Sequence, residues 1–325
     1  YKHTGSDYRF IIETDAPTTY SVPETGLNVE HQGAGIIINA NVDVLTISDS
    51  ISVDNYGTGQ TTITATGTVK SESGYGVSVY NGYYAKDLTI SVNDVEGSWG
   101  VYADNRATGI TTIVVNGDVI GTNLSGIEIA GAAEVFISVE ADATVTGDIG
   151  VLQTELGFIG TGDTNLVVHG SVTGRSGTAI QFEDGENQVI LYDNAKITGT
   201  IDGGTGSDTA SFSVAKSAVD TFTYNEITEI AVVTVDSTVT TFKDFEFFKF
   251  SDSVSGKAQG ISELLSEFNN SPTGVLKITG SPKQGEILTI DTAEIADIDG
   301  LGTFSYTWLR DGYEMPESSN AYRLT

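Results

Sequence analysis

Apolar residues recur along the chain in three columns, each with a spacing of about 25 residues. The first column consists of Ile63, Ile90, Ile113, Ile137, Leu166 and Val189. The second column consists of Val69, Val95, Val119, Val145, Val172 and Ile197. The third column consists of Val77, Val101, Ile127, Val151 and Ile180. Between them, segments such as TTITATGTV alternate apolar and polar positions with the period of a β-strand.

Three short strands in a repeat of about 25 residues predict one turn of a three-faced coil. Each strand of such a coil pairs with its counterpart one turn away, so backbone polar groups are satisfied between turns. We therefore predict an all-β chain built on a right-handed parallel β-helix of about six or more rungs. The alternative is a β-sandwich with regular strand spacing. Four glycines at expected corners are predicted to adopt positive φ: Gly74, Gly100, Gly126 and Gly150.

The pattern divides the chain into five segments. Residues 1–30 have no clear register and are interpreted as an N-terminal cap, whereas residues 31–212 form the β-helix. Residues 213–254 are predicted to be a β cap, because an open solenoid end invites aggregation. Residues 255–271 contain a short helix, ISELLSEFN, and a linker. Residues 272–325 form a further, incomplete β domain.

Charge and composition narrow the class of partner. The 325 residues include 44 Asp and Glu but only 15 Lys and Arg, which gives a net charge of −29. A field of this sign repels phosphate backbones, so nucleic acid is not an expected partner. No run of 18 apolar residues is present, so we expect no membrane insertion. The first residues, YKHTGSDYRF, are not a signal peptide, and we expect a fragment of a longer chain.

Two repeat units resemble a known family. ATGTVKSESGYGVSVYNG at 65–82 and VNGDVIGTNLSGIEIAG at 115–131 resemble the passenger repeats of bacterial autotransporter-type adhesins. The resemblance covers roughly residues 55–212 and implies secretion and display at the bacterial cell surface. Because the chain has no cysteine, core packing or bound ions would have to stabilise it outside the cell.

The segment GGTGSDTAS at 203–211 resembles the calcium nonapeptide of repeats-in-toxin proteins. The resemblance implies a Ca²⁺ site made by Gly203, Gly204, Gly206 and Asp208, since carboxylate and carbonyl oxygens suit this ion. One repeat before Asp208, the corresponding residue is Asn187, which is part of the candidate site. One repeat before Asn187, the corresponding residue is Thr164. The copies lie 21 and 23 residues apart, which predicts stacking in neighbouring turns. The sequence leaves two interpretations of this segment: a site with bound Ca²⁺, or a glycine-rich corner without an ion.

Two C-terminal stretches also resemble secreted bacterial proteins. TTFKDFEFFKFSD at 240–252 resembles the terminal strands of type I secreted proteins. Residues 273–312, from TGVLKITG to TWLRDG, resemble bacterial immunoglobulin-like repeats. That resemblance makes 272–325 an incomplete immunoglobulin-like domain. It implies that Trp308 is the core tryptophan and that Asp297, Asp299 and Gly300 form an acidic turn.

Candidate chemistry on the coil is sparse. Asp94 and Asp118 each precede the second column in adjacent rungs, about 5 Å apart by strand spacing. They are either a solvated pair or a weak cation site, because like charges so placed recruit cations. The five basic residues of the coil stand at unrelated offsets: Lys70, Lys86, Arg106, Arg175 and Lys196. His3, His31 and His169 are dispersed, so no catalytic residues are predicted.

Aromatic residues form the stronger binding candidate. Tyr75 and Trp99 each lie two residues before the third column and should stack on one outer face. Tyr80 and Tyr102 lie nearby in sequence. Exposed aromatic rows contact sugars or proteins, and they can also form a ladder that binds no ligand.

These observations favour a non-catalytic extracellular structural or adhesion module of a large secreted surface protein, such as an adhesin, matrix or surface-layer component. Its expected partners are copies of itself, neighbouring surface proteins or polysaccharide. The alternative is a glycan-active β-helix exoenzyme, or the glycan-binding module of one.

Overall fold

The structure is a computed structural model that describes residues 9–12, 18–21, 26–131, 133–154, 162–268, 272–297 and 301–325. The chain divides into two compact units, and the boundary lies between Leu264 and Leu265. The first unit is a parallel β-solenoid of about seven turns. Three ladders of parallel strands, here called faces A, B and C, run along it.

The strands of face A are Thr18–Ser21, Ile36–Ala40, Thr61–Ala65, Leu88–Val92, Ile110–Val115, Glu134–Val139, Asp163–Val168, Gln188–Leu191, Thr209–Phe212 and Phe247–Lys249. The strands of face B are Val44–Thr46, Val69–Ser71, Val95–Gly97, Asp118–Gly121 and Thr144–Gly147. The strands of face C are Arg9–Ile12, Leu27–His31, Ile51–Asn55, Tyr75–Asn81, Trp99–Asn105, Ile127–Ala130, Val151–Thr154 and Thr238–Lys243. Ser171–Gln181 and Lys196–Asp202 run through both faces B and C.

The three predicted columns are the inner rows of the three faces. In the first column, Ile90 pairs with Ile63 on one side and with Ile113 on the other. The same residue-to-residue register holds along the second and third columns. All column residues are buried except Ile197, which is half-buried. The predicted three-faced parallel β-helix is therefore confirmed, and the sandwich alternative is wrong for this part of the chain.

The corner glycines serve a different purpose from the predicted one. Gly74, Gly100, Gly126 and Gly150 are absent from the positive-φ residues of the described chain, so the prediction of left-handed backbone was wrong. Close packing explains them instead. A Cβ on Gly126 would lie 2.7 Å from the carbonyl oxygen of Gly150, and one on Gly150 would lie 2.6 Å from that of Ala179. A side chain at either position would push adjacent turns apart.

Parallel pairing starts before the predicted boundary at residue 31. Leu27–His31 pairs with Ile51–Asn55, and Arg9–Ile12 pairs with Leu27–His31. Thr18–Ser21 pairs with Ile36–Ala40 on face A. The segment 1–30, predicted to be an irregular cap, therefore contributes strands to the solenoid. Backbone pairing needs only an extended segment of matching length, which the repeat columns do not reveal.

The segment 213–254, for which a β cap is predicted, folds over the last turn. Val219–Asn225, Ile230–Val235 and Thr238–Lys243 form an antiparallel meander, whose third strand pairs in parallel with Lys196–Asp202. Short 3₁₀ helices lie at Lys216–Ala218 and Val254–Gly256. Beneath the meander, the Phe242 ring packs edge-to-face on Phe245 and Phe248 at centroid distances of 5.3 and 5.4 Å. This cluster closes the apolar core.

The end of the chain contains one helix and small antiparallel sheets. The helix is Ile261–Phe268, and Gln259–Gly260 before it pairs with Phe247–Lys249. The strands of the second unit are Lys277–Gly280, Ile287–Asp291, Leu309–Arg310, Tyr313–Glu314 and Ala321–Arg323. These sheets fit a partial sandwich. No helix among the described residues is long and apolar enough to cross a membrane.

Trp308 is buried in the second unit. Its ring packs on Tyr322 with centroids 5.4 Å apart, and its Nε1 donates to the carbonyl oxygen of Ser319 at 2.9 Å. Of the acidic turn that the immunoglobulin-like resemblance implies, Asp297 is described, whereas Asp299 and Gly300 lie outside the described residues.

Candidate functional site

The outer side of face C carries an aromatic cluster made of Tyr75, Trp99 and Tyr102. Tyr75 and Trp99 lie opposite each other in adjacent turns, and their rings stack with centroids 4.6 Å apart and planes 23° apart. The Tyr102 ring is tilted against Tyr75 with a centroid distance of 5.4 Å. All three side chains are half-buried. The three side chains therefore keep part of their surface exposed to solvent.

A carboxylate in the next turn holds the tryptophan in position. Trp99 Nε1 donates to Glu128 Oε2 at 2.8 Å, and Ser125 Oγ also donates to this oxygen at 3.3 Å. Burial raises the pKa of Tyr102 to about 12, and Asp104 and Glu128 add to the rise. The Tyr102 phenol therefore keeps its proton and can donate a hydrogen bond at any physiological pH.

Tyr80, the fourth predicted contact residue, belongs to a neighbouring group rather than to the aromatic cluster. Its ring contacts Tyr56 at a centroid distance of 5.3 Å, and the Arg106 guanidinium lies 5.1 Å from its centroid. Arg106 pairs with Asp104 at 3.0 Å. Tyr84, in the corner that follows strand Tyr75–Asn81, is more exposed than Tyr80, with 79 % of its surface in solvent. Face C thus carries two adjacent aromatic groups flanked by carboxylates.

Asp94 and Asp118 lie in neighbouring turns, as predicted, and both are exposed. Asp94 Oδ1 accepts the backbone N–H of Asp118 at 3.0 Å, and Asp118 Oδ1 accepts the Thr144 hydroxyl at 2.6 Å. Across the described ranges, no three His, Asp or Glu residues are grouped so that they could hold a metal ion. The two carboxylates therefore link turns, and a weak cation site here stays a prediction.

The same device recurs at other corners of the coil. Asp43, Asp49 and Asp87 each place Oδ1 within 2.9 to 3.0 Å of a backbone nitrogen in the next turn. A carboxylate that accepts a backbone N–H makes a stronger bond than a neutral acceptor does. Part of the acidic composition thus serves to fasten turn to turn.

The candidate calcium residues stack in neighbouring turns, as the spacing predicts. Asn187 Oδ1 accepts the N–H of Thr164 at 3.0 Å, and Asp208 Oδ1 accepts the N–H of Asn187 at 2.8 Å. The cap continues the stack, because Glu246 Oε2 accepts the N–H of Asp208 at 2.7 Å. Among the described residues, these copies repeat once per turn of the solenoid and not every nine residues, so they do not form a calcium roll. These hydrogen bonds join the last two turns of the solenoid to its cap.

Asp208 has one oxygen whose bonding capacity is unused. The residue is fully buried, and its Oδ2 has no hydrogen-bond partner among the described residues. Gly203 makes room for it, since a Cβ there would lie 2.8 Å from Oδ2. Burial, with a smaller contribution from the carboxylates of Glu246 and Asp202, raises the pKa of Asp208 to about 7, although its hydrogen bonds with Asn187 act in the opposite direction. A proton or a cation would satisfy this oxygen.

The glycines of the candidate site shape the corner. Gly204 and Gly206 have φ angles of 82° and 133°, which side chains rarely adopt. The carbonyl of Gly203 accepts Asn187 Nδ2 at 3.3 Å, so one expected calcium ligand is already hydrogen-bonded. The orphaned Oδ2 fits a cation, whereas a single carboxylate is a poor set of ligands for one. Ca²⁺ at Asp208 therefore stays a proposal.

A polar ladder that the sequence analysis missed lies inside the corner between faces C and A. It consists of His31, Asn55, Asn81 and Asn105, which occupy one register position and are fully buried. Asn55 Nδ2 donates to Asn81 Oδ1 at 3.1 Å, and Asn81 Nδ2 donates to Asn105 Oδ1 at 2.9 Å. Their spacings of 24, 26 and 24 residues match the repeat and could have revealed the ladder.

Three of the other polar residues considered for catalysis contact neighbouring parts of the coil. His169 stacks on Tyr192 with centroids 3.9 Å apart, and Lys70 pairs with Glu96 at 2.7 Å. Arg175 Nη2 donates to the carbonyl oxygens of Gly121 and Thr122 at 2.7 and 3.0 Å. His3 lies outside the described residues.

The fold and these sites define a parallel β-solenoid repeat protein. No protein-family model, no curated protein and no solved structure matches the chain.

Proposed function

We propose that this chain is a non-catalytic structural or adhesion module of a large bacterial surface protein, displayed outside the cell. The observation that carries the proposal is the aromatic cluster, which is held in one arrangement on the outer side of a stack of parallel turns. The rings of Tyr75 and Trp99 stack, the Tyr102 ring is tilted against Tyr75, and Glu128 holds Trp99 in place.

A preorganised surface of this kind suits adhesion. Ordering side chains on binding costs about 0.5–1.5 kcal/mol for each one immobilised. Tyr75, Trp99 and Tyr102 are already fixed by stacking and hydrogen bonding, so a partner would meet little of that cost. Tyr and Trp are also the residues that contribute most to binding energy at protein interfaces. The solenoid supplies the rigid support.

Charge restricts the partner. With a net charge of −29, the chain favours neutral or cationic surfaces over anionic ones. Copies of the chain, neighbouring surface proteins and neutral polysaccharide are the proposed contacts. A Ca²⁺ ion at Asp208 would add to the stability of the last turns, and the C-terminal sheets would act as an immunoglobulin-like spacer.

A glycan-binding module of a larger, glycan-active protein is the second candidate. The carboxylates of Glu128 and Asp104 lie beside the tyrosines of face C, and sugar sites combine ring faces with a few fixed polar groups. The two candidates share the same surface, so binding assays on one variant address both.

Trp99→Ala is expected to weaken binding to the partner by tenfold or more, because truncating a central tryptophan commonly costs 2 kcal/mol or more. Binding is measured on a glycan array, on insoluble polysaccharides and on intact bacterial cells. Tyr192→Ala is the matched control, since Tyr192 is an aromatic residue at a different corner and is 43 % exposed.

Binding to cells or a surface-protein array that falls in Trp99→Ala and not in Tyr192→Ala supports adhesion through the aromatic cluster. Loss confined to one glycan supports the second candidate. Equal binding by the wild type and both variants would remove the cluster from the contact surface.

A further inference from the structure

The strand Val219–Asn225 forms the last strand of the sheet that includes faces B and C. It pairs antiparallel with Ile230–Val235 on one side. Among the described residues, the pairing registers give this strand no partner on its other side, and Lys196–Asp202 pairs instead with Thr238–Lys243. An edge of this kind presents a row of backbone groups on which another chain can pair. This strand belongs to the cap and contains none of the residues of the aromatic cluster.

The outer part of this strand lacks the usual protection of an edge. Natural edges carry charged residues, proline or a bulge where pairing would occur. Here a single irregularity lies between Val219 and Thr221, and Asp220 at this point accepts the N–H of Ser237 at 3.1 Å. From Thr221 to Asn225 the register is regular and the sequence, TFTYN, contains no charge and no proline. These residue types favour strands.

Carboxylates surround the far end of the edge. Glu226 and Glu229 lie in the turn between this strand and Ile230–Val235, and the backbone N–H of Asp244 donates to the carbonyl oxygen of Glu229 at 3.1 Å. Burial raises the pKa of Tyr224, and the charges of Glu229, Glu226, Glu246 and Asp244 add to the rise. Lys243 pairs with Asp244, and also with Asp202, at 2.9 Å each, so it offsets one of these four charges and the group stays net negative.

The turn that follows the edge strand is fixed. Asn225 Oδ1 accepts the backbone N–H groups of Ile227 and Thr228 at 2.9 and 3.2 Å. This turn holds Ile227 in solvent with 94 % of its surface exposed. An added strand would therefore meet a rigid edge with an apolar contact beside its acidic end.

We propose that an extended, basic segment of another protein adds to Val219–Asn225 as a further strand of this sheet. Backbone hydrogen bonds supply the affinity in this mode of recognition, and side-chain charge supplies the selectivity. Charge argues against a second copy of the chain as the occupant. Two copies each carry a net charge of −29 and would repel each other, and parallel pairing of their edge strands would also bring the two Glu226 side chains together.

The test uses a labelled nonapeptide of alternating lysine and valine as the probe, with the whole chain as its receptor. Two control peptides separate charge from backbone pairing. One replaces each lysine with glutamate, and the other keeps the lysines but is N-methylated at alternate backbone nitrogens. Fluorescence anisotropy measures the affinity of the peptide, and hydrogen exchange identifies the segment of the protein that the peptide contacts. The expected result is slower exchange in 219–225 and at least tenfold weaker binding of both control peptides.

Charge variants of the edge sharpen the test without breaking the strand. Thr223→Lys is expected to weaken binding of the lysine peptide severalfold, and Thr223→Glu to strengthen it. Thr112→Lys, at a half-buried outer position of face A, is the matched control and should leave binding unchanged.

Three results would overturn the proposal. Equal binding of the N-methylated peptide would show attraction by charge alone. Unchanged exchange in 219–225 would place the peptide elsewhere. A second copy would be the occupant if, without peptide, raising the protein concentration both slowed exchange in 219–225 and gave the mass of a dimer.

Discussion

Asp208→Asn is expected to raise the free energy of unfolding by about 4 kcal/mol at pH 8 and to leave it nearly unchanged at pH 4, relative to the wild type. The ordinary pKa of an aspartate is near 3.8, and burial raises that of Asp208 to about 7 in the folded protein. Each unit of difference corresponds to 1.36 kcal/mol.

The sign follows from the proton count. Between pH 4 and pH 7 the folded state holds the Asp208 proton and the unfolded chain does not, so the wild type loses stability as pH rises through this window. Above pH 7 both states are ionised and the loss is complete. Asparagine keeps an oxygen to accept the N–H of Asn187 but never carries the charge, so the variant lacks this dependence.

The comparison is made by urea unfolding at several pH values, first with a chelator and then with Ca²⁺. The difference between the two proteins isolates Asp208 from the other carboxylates. Parallel pH curves for wild type and variant would contradict the account of the buried, ionisable side chain. If Ca²⁺ stabilises the wild type at pH 8 but not Asp208→Asn, the proposed calcium site gains support.

Ile113→Ala is expected to lower the free energy of unfolding by about 2–5 kcal/mol. Ile113 is fully buried and pairs with Ile90 and Ile137 in the turns on either side. Removing its side chain leaves a cavity in the middle of the solenoid, where both neighbouring turns are held in register and cannot collapse to fill it.

Thr112→Ala is the matched control, because Thr112 is the preceding residue of the same strand and faces outward. It should change stability by less than about 0.5 kcal/mol. Far-ultraviolet circular dichroism follows the unfolding in urea. Equal destabilisation by the two variants would contradict the alternation of inner and outer positions on face A.

Much of the fold was predictable because one physical requirement repeats in every turn. An inner position must be apolar in each turn, so Ile63, Ile90 and Ile113 reveal the period even though their loops differ in length. The start of the solenoid was harder to predict. Strand Leu27–His31 precedes the regular repeats, and nothing in its own composition distinguishes it from a cap.

Less of the candidate sites could be predicted. Tyr75 and Trp99 were recognisable because their offset from a column places them in one register, whereas Tyr80 joined another group through the ring of Tyr56. The asparagine ladder was missed because polar residues usually indicate an outer surface. Burial of Asn81 depends on its hydrogen bonds to ladder neighbours, and only the stacked turns bring these together.

The most direct test of the stacked turns is a set of spin-label distances, which the absence of cysteine makes simple. Thr62→Cys is combined in turn with Phe136→Cys, Asn165→Cys and Gln188→Cys, which lie three, four and five turns along the same outer row of face A. The account predicts distances of about 14, 19 and 24 Å, equal steps of one strand spacing per turn. Distances that do not increase in equal steps along this series would contradict the solenoid.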